Sequence, residues 1–287
     1  MSSTWDLTGG DLIAPGLTAV SPVGGGTVYE AWLAFDERLH APVVVKIVRP
    51  DHVDDPLSRL GFVREAEMLH RLNHPGIVRM FGFGHSADHW DDRPHLVLEN
   101  IDGPSLSSLI SIYGALPIHQ LLPLGLELAA ALHYLRGEGV CHLDVKPSNV
   151  IMGAPAKLID LSVAMDVQDA AALDHPIGSD EYMAPEQCEP GRRGVVGPAS
   201  DIWAFGATMF RAAAGYRAFD REPRWAQLRD EPLPLPSTVP PALAAIITDC
   251  LAVDPDDRPE PAEIAARIEP LIAALPVPRL SGFSIRG

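Results

Sequence analysis

The stretch from Val140 to Met152, VCHLDVKPSNVIM, restricts this chain more than any other. Asp144, Lys146 and Asn149 stand close together between apolar residues that read as short strands. Asp144 can accept a hydroxyl proton, Lys146 can hold a transferring phosphoryl group, and the Asn149 side-chain carbonyl can serve a hard cation. The strand-like run AKLID follows and ends in Asp160, a second cation ligand one hairpin later. Any fold for this chain has to deliver these residues to one place.

The surrounding pattern says how. Pro117 to Arg136 reads as a long helix with Leu121, Leu124, Leu128, Leu132 and Leu135 on one stripe, stopped by Gly137 and Gly139, and it leads into the polar stretch. A leucine stripe at this spacing is core. Earlier, Pro42 to Val48 (PVVVKIV) is an apolar strand broken by Lys46, which needs an anion if buried and otherwise reaches water as an edge-strand lysine. A helix follows from about Leu57 to Arg71, with Leu57, Leu60, Val63 or Arg64, Glu67 or Met68 and Leu72 at helical spacing. From Leu17, two β-rich runs flank Gly24, Gly25 and Gly26, a hairpin signal that an ordinary turn also satisfies. Ile77 to Phe83 and His95 to Glu99 read as further strands, and Ser105 starts a short helix. His85, His89 and His95 raise a metal-site reading, but the segment is a polar hairpin loop without cysteine.

Composition limits the partners. The formal charge of −16 argues against nucleic acid and anionic lipid, both of which select clustered Lys and Arg. Cys141, Cys188 and Cys250 are odd in number and widely spaced, which fits a reducing cytoplasm. No stretch reads as a signal peptide or a membrane span, so the expected location is cytoplasmic.

Several motifs, in order, resemble those of eukaryotic-like protein kinases of the bacterial (Hanks-type) serine/threonine kind. His142-Leu143-Asp144-Val145-Lys146-Pro147-Ser148-Asn149 is similar to the catalytic loop His-Arg-Asp-Leu-Lys-Pro-x-Asn, with Leu143 in place of arginine. Asp160-Leu161-Ser162 is similar to the magnesium-binding Asp-Phe-Gly, and Ala184-Pro185-Glu186 to the motif that closes the activation segment. The resemblance covers roughly residues 15 to 275.

It implies an α+β two-lobed kinase fold: a small N-lobe (12–101) with an antiparallel sheet and one long helix, and a larger, mainly helical C-lobe (102–275). A flexible segment (1–11) and a tail (276–287) flank them. It also implies ATP and Mg²⁺, with Mn²⁺ as an alternative. By resemblance the glycine hairpin covers the phosphates, with Val20, Gly24, Gly25, Gly26 and Val28 near the nucleotide; anchored on Gly26, only the last family glycine is kept, and Ser21 and Val23 replace the others. Lys46 meets the phosphates and pairs with Glu65, chosen because it lies nine residues before His74-Pro75. Leu98 is the gatekeeper, the backbone of Glu99 and Ile101 meets the adenine edge, and Asp102 lies near the ribose. The resemblance further implies that Asp144 and Lys146 are catalytic and that Asn149 and Asp160 hold the metal. Asp201 resembles the helix aspartate that binds the catalytic-loop backbone, a plain helix-dipole aspartate being the alternative. Arg258 resembles the buried partner of Glu186.

The expected function is therefore transfer of the γ-phosphoryl of ATP to serine or threonine of protein substrates. Leu143, and a segment from Val163 to Gly178 without serine, threonine or tyrosine, point to activity independent of activation-loop phosphorylation. The alternatives are a pseudokinase that binds nucleotide or a partner, and a small-molecule phosphotransferase. Nothing in the sequence fixes the oligomeric state.

Overall fold

A computed structural model describes residues 3–84 and 93–276. The N-terminal part is an antiparallel sheet of six strands: β1 (Leu12–Ala14), β2 (Leu17–Gly25), β3 (Tyr29–Asp36), β4 (Ala41–Val48), then, after helix α1 (Pro56–Arg71), β5 (Met80–Gly84) and β6 (His95–Glu99). Their spatial order is β1-β2-β3-β4-β6-β5. Alternation along β3 turns Glu30, Trp32, Ala34 and Asp36 inward on one face. That face carries its own apolar cluster, with Ile13, Leu17, Val43, Val45 and Ile47.

The cluster needs a cover, and the N-terminal residues supply it. Residues 3–11 looked too polar and unpatterned to be held, but one aromatic decides otherwise. Trp5 packs on the cluster, its indole N–H donates to the Val48 carbonyl at 2.8 Å, its backbone N–H donates to Glu30 Oε1 at 3.1 Å, and the Arg93 guanidinium lies 5.1 Å from its ring.

The opposite face carries Lys46 in register with Ala31 on β3 and Leu96 on β6, and Val44 with Leu33 and Leu98. Against it lies α1, started by Asp55, whose carboxylate accepts from the Ser58 backbone N–H, with Pro56 at the first helical position. Leu57 and Leu60 were expected on its inner stripe, but they are 78% and 47% exposed. The buried line is Ser58, Phe62, Glu65 and Leu69, because the helix is turned so that Glu65 faces the sheet.

The C-terminal part is mainly helical. After α2 (Leu106–Tyr113), capped by Ser105, comes α3 (Ile118–Gly137), whose expected leucine stripe is buried throughout. Four short strands follow: β7 (Val140–Cys141), β8 (Val150–Ile151), β9 (Lys157–Leu158) and β10 (Met165–Asp166). β8 pairs with β9, and β10 pairs back to β7. Then come α4 (Val167–Ala171), α5 (Pro185–Cys188), α6 (Pro198–Ala214), α7 (Pro241–Cys250) and α8 (Pro261–Ala273).

Helix α6 is buried nearly all round, as its composition implied. Its Gly206 permits close packing on α7, since a Cβ there would come within 2.7 Å of the Cys250 Cβ. One apolar core runs from Val48 and Phe62 through Ile77 and Leu158 into α3 and α6, so the two lobes share packing. This is the two-lobed arrangement expected from the motifs, a small antiparallel sheet with one long helix and a larger, mainly helical part. Among the described residues, no helix is long and apolar enough to cross a membrane.

Candidate active site

Lys46 sits at the junction of sheet, helix and hairpin. Its Nζ donates to both Glu65 oxygens at 2.7 and 2.8 Å and to Asp160 Oδ1 at 2.8 Å. The Tyr29 ring lies 4.3 Å from the same Nζ. Burial alone would pull the ammonium pKa down, but Glu65 and Asp160 together hold it above its ordinary value. Burial alone would raise Asp160, yet Lys46, with help from the Ser162 hydroxyl, brings it down to about 2. Lys46 and Asp160 are therefore both charged at neutral pH, while full burial pushes the Glu65 carboxyl up against the pull of Lys46, and Lys46 is a paired lysine rather than one reaching water.

The second cluster lies in the loop expected to be catalytic. Lys146 Nζ donates to Asp144 Oδ2 at 2.6 Å and to Ser179 Oγ at 2.7 Å. Asn149 Nδ2 donates to the Asp144 carbonyl at 3.0 Å and to its Oδ2 at 3.2 Å. Asp144 Oδ1 is buried with no protein partner. A buried polar atom left unpaired is costly, and here it is an acceptor free to take a hydroxyl proton. The β8–β9 hairpin joins the two clusters: the Ile159 N–H donates to the Asn149 carbonyl at 2.8 Å, which sets Asp160 beside Asn149.

The loop's backbone is fixed from below. Asp201, fully buried, accepts from the N–H groups of His142 and Leu143 at 2.8 and 2.7 Å, so it is the loop-binding aspartate and more than a helix-dipole charge. Leu143 has φ +61° and Asp160 φ +64°, left-handed conformations that nonglycine residues hold only when their surroundings insist. Leu143 is 1% exposed and packs with Cys141, Ala170, Val196, Val163 and Ile177. The activation segment is thus pinned to the loop by hydrocarbon.

The nucleotide positions are less tightly drawn. Leu98 is buried in β6 opposite Val44. The Glu99 side chain points away into an ion pair with Lys157, at 2.7 and 2.8 Å, and accepts from the Arg79 N–H, which fixes the hinge backbone. Ile101 is half-buried and Asp102 exposed. Gly26, Thr27 and Val28 form the turn between β2 and β3, and the Gly26 carbonyl accepts from Arg49 Nε at 2.8 Å. Val20 is 50% exposed on β2, Gly24 and Gly25 end that strand with Gly24 in register with Ala31, and the Gly26 N–H donates to the Tyr29 carbonyl at 2.8 Å.

Three residues escaped the sequence reading. Tyr29 was taken for part of a strand only, whereas it is the hairpin residue that reaches Lys46. Ala31 and Val44 share the Lys46 face, Ala31 as its cross-strand partner and Val44 two residues before it. The two-residue offset of Val44 was visible; the partner of Lys46 on β3 depended on a register set by the turn. Of the three histidines that suggested a metal, His85 and His89 lie outside the described residues, and His95 is buried, with Nδ1 2.7 Å from the Arg93 carbonyl. Among the described residues no group of three or more His, Cys, Asp and Glu is placed to hold a metal. Asp160 and Asn149 instead offer two oxygen donors, a set that suits Mg²⁺ completed by phosphate oxygens and water.

The profile of the family described as "Protein kinase domain" matches residues 17–267. Serine/threonine-protein kinase PknB of Mycobacterium leprae is 30% identical, the match covering 82% of this chain and 39% of the relative. PknB of Mycobacterium tuberculosis shows the same identity and coverage, and PknA of Mycobacterium tuberculosis is 30% identical over 82% of this chain and 56% of its own length. The chain thus spans between about two fifths and somewhat over half the length of these curated relatives.

Proposed function

This chain belongs to the protein kinase family, among the bacterial eukaryotic-like serine/threonine kinases, and from that premise we propose that it transfers the γ-phosphoryl of ATP to serine or threonine hydroxyls of proteins, without needing a phosphorylated activation segment. The observation that carries the transfer is Asp144: one carboxylate oxygen is held by Lys146 and Asn149, and the other is buried and unpaired. In the reaction a substrate hydroxyl oxygen bonds to the γ-phosphorus, the bond from that phosphorus to the bridging oxygen breaks, ADP leaves, and the hydroxyl proton passes to Asp144 Oδ1. Lys146, bonded to Asp144 Oδ2, offsets charge on the transferring group, and Lys46, kept charged by Glu65 and Asp160, holds the phosphates of the nucleotide. Asn149 Oδ1 and the Asp160 carboxylate would hold Mg²⁺, which supplies positive charge against the phosphates.

The regulatory half of the proposal rests on Leu143. A leucine buried among the side chains of the activation segment orders that segment by packing, and it offers a phosphate neither hydrogen bond nor charge. Purified protein incubated with radiolabelled ATP, Mg²⁺ and a generic protein substrate tests the transfer. Label on serine or threonine supports the reading; bound nucleotide without transfer favours the pseudokinase; transfer only to small alcohols favours the small-molecule enzyme.

A further inference from the structure

Gln187 on α5 is 1% exposed and joins three backbone groups from separate parts of the chain. Its Oε1 accepts from the Ala184 N–H at 3.1 Å, and its Nε2 donates to the carbonyls of Leu143 and Ile177, both at 3.0 Å. Leu143 immediately precedes the catalytic aspartate; Ile177 lies two residues before Ser179, which accepts from Lys146. The side-chain amide is the group suited to this task, because it carries two donors and one acceptor on one rigid plane.

The surrounding geometry converges on the same carbonyl. Gly178, at φ +116°, passes so close that a Cβ there would lie 2.6 Å from the Leu143 oxygen. On the other side the Leu143 N–H is held by Asp201 at 2.7 Å. The peptide groups that flank the strained Leu143 backbone are therefore clamped between Asp201 and Gln187, and the Gln187 amide extends the clamp to the segment that carries Ser179.

We propose that Gln187 is a positioning residue for phosphotransfer, tying the Ser179 segment to the catalytic loop by a neutral amide bridge. The proposal deepens the kinase reading above and rests on it. The bridge acts through Leu143 and Ser179 on Asp144 and Lys146, and Gln187 itself touches neither nucleotide nor substrate.

The test compares wild type with Gln187→Met and Gln187→Glu. Methionine keeps the volume and loses every hydrogen bond. Glutamate keeps the acceptor for Ala184 but presents an anion to two carbonyl oxygens, until protonation gives it one donor; burial raises the pKa of such a carboxyl. At pH 8 both variants should lose about 10- to 100-fold in kcat/KM for a protein substrate, the loss expected of misplaced reacting groups, with nucleotide Kd within about twofold of wild type. Relative to wild type at each pH, Gln187→Glu should recover activity as pH falls to 6 and Gln187→Met should not. Wild-type kcat/KM in the Met variant overturns the proposal. If the Met variant does not fold, the Glu variant decides alone, and a flat pH ratio overturns it. Hydrogen exchange over residues 173–183 reads the bridge without any turnover: faster exchange in either variant supports it and unchanged exchange overturns it. A wild type that transfers no phosphate strikes the function while leaving the exchange result to judge the bridge.

Discussion

Arg258 closes on Glu186 through hydrogen bonds of 2.6 and 2.9 Å, with neither side chain exposed to solvent. Ser200 Oγ donates to the same carboxylate at 2.7 Å, and the guanidinium also donates to the carbonyls of Ala252, Ala199 and Val253. The pair joins the stretch after the activation segment to the start of α8, and it spans 72 residues of sequence. Removing one member strands a buried charge. Arg258→Met should therefore destabilise the fold by about 3–5 kcal/mol in urea unfolding, and adding Glu186→Met should return much of that loss. A double variant less stable than Arg258→Met would refute the uncompensated-charge account.

Asp144→Asn should reduce transfer by at least about 10²-fold, since it removes the proposed general base while keeping the side-chain shape. Nucleotide affinity should stay near wild type, because no nucleotide-holding group is altered. The check is turnover against the Kd of a fluorescent ATP analogue; turnover within tenfold of wild type removes Asp144 from the reaction.

Much of this site was legible because its chemistry is local in sequence. Asp144, Lys146 and Asn149 fall within one loop, and the hairpin that presents Asp160 follows directly, so pattern alone places them together. The Lys46–Glu65 pair crosses from strand to helix, and periodicity could not choose Glu65 over Glu67; resemblance to a family did. What stayed hidden was orientation and register. Leu57 and Leu60 satisfied the helical spacing but lie outside, because the helix is turned by its polar Glu65 rather than by its most apolar positions. Tyr29 and Ala31 could not be assigned before the β2–β3 turn was known to span Gly26 to Val28, since a one-residue slip sends each side chain to the other face. Trp5 was a lone aromatic in a polar run, and its role depends on an apolar sheet face assembled from strands far along the chain.

Tyr29→Leu should weaken ATP by a few-fold in KM with kcat little changed, since it keeps much of the volume and removes a cation–π contact of about 0.5–2 kcal/mol beside the ammonium proposed to hold the phosphates. Lys46→Met should weaken ATP far more and also leave Glu65 buried without its partner. The pH dependence follows from the sign of the Lys46 shift. Its folded pKa lies above the ordinary 10.5, so the favourable contribution is complete below that value and is lost only as pH rises through the folded pKa. An ammonium deprotonation of Lys46 observed directly between about pH 7 and 9 would contradict this.

Restoring the family arginine is the sharpest trial of the packing account. Leu143 is 1% exposed: its neighbours are Cys141, Ala170, Val196 and the side chains of Val163, Met165, Val167, Leu173 and Ile177, and its backbone is held on both sides by Asp201 and Gln187. Leu143→Arg would put a guanidinium among hydrocarbons, where an unpaired charge costs several kcal/mol. No serine, threonine or tyrosine lies between Val163 and Gly178 to receive a compensating phosphate. The variant should therefore melt well below wild type and lose activity, without gaining any response to phosphorylation. The companion measurement uses wild type alone: treatment with a broad phosphatase, with intact mass confirming the unmodified chain, should leave the rate within about twofold, because ordering by apolar contact needs no added charge. A tenfold drop reversed by self-phosphorylation at Ser162 or Ser179 would show that charge, and not the Leu143 cluster, orders the segment.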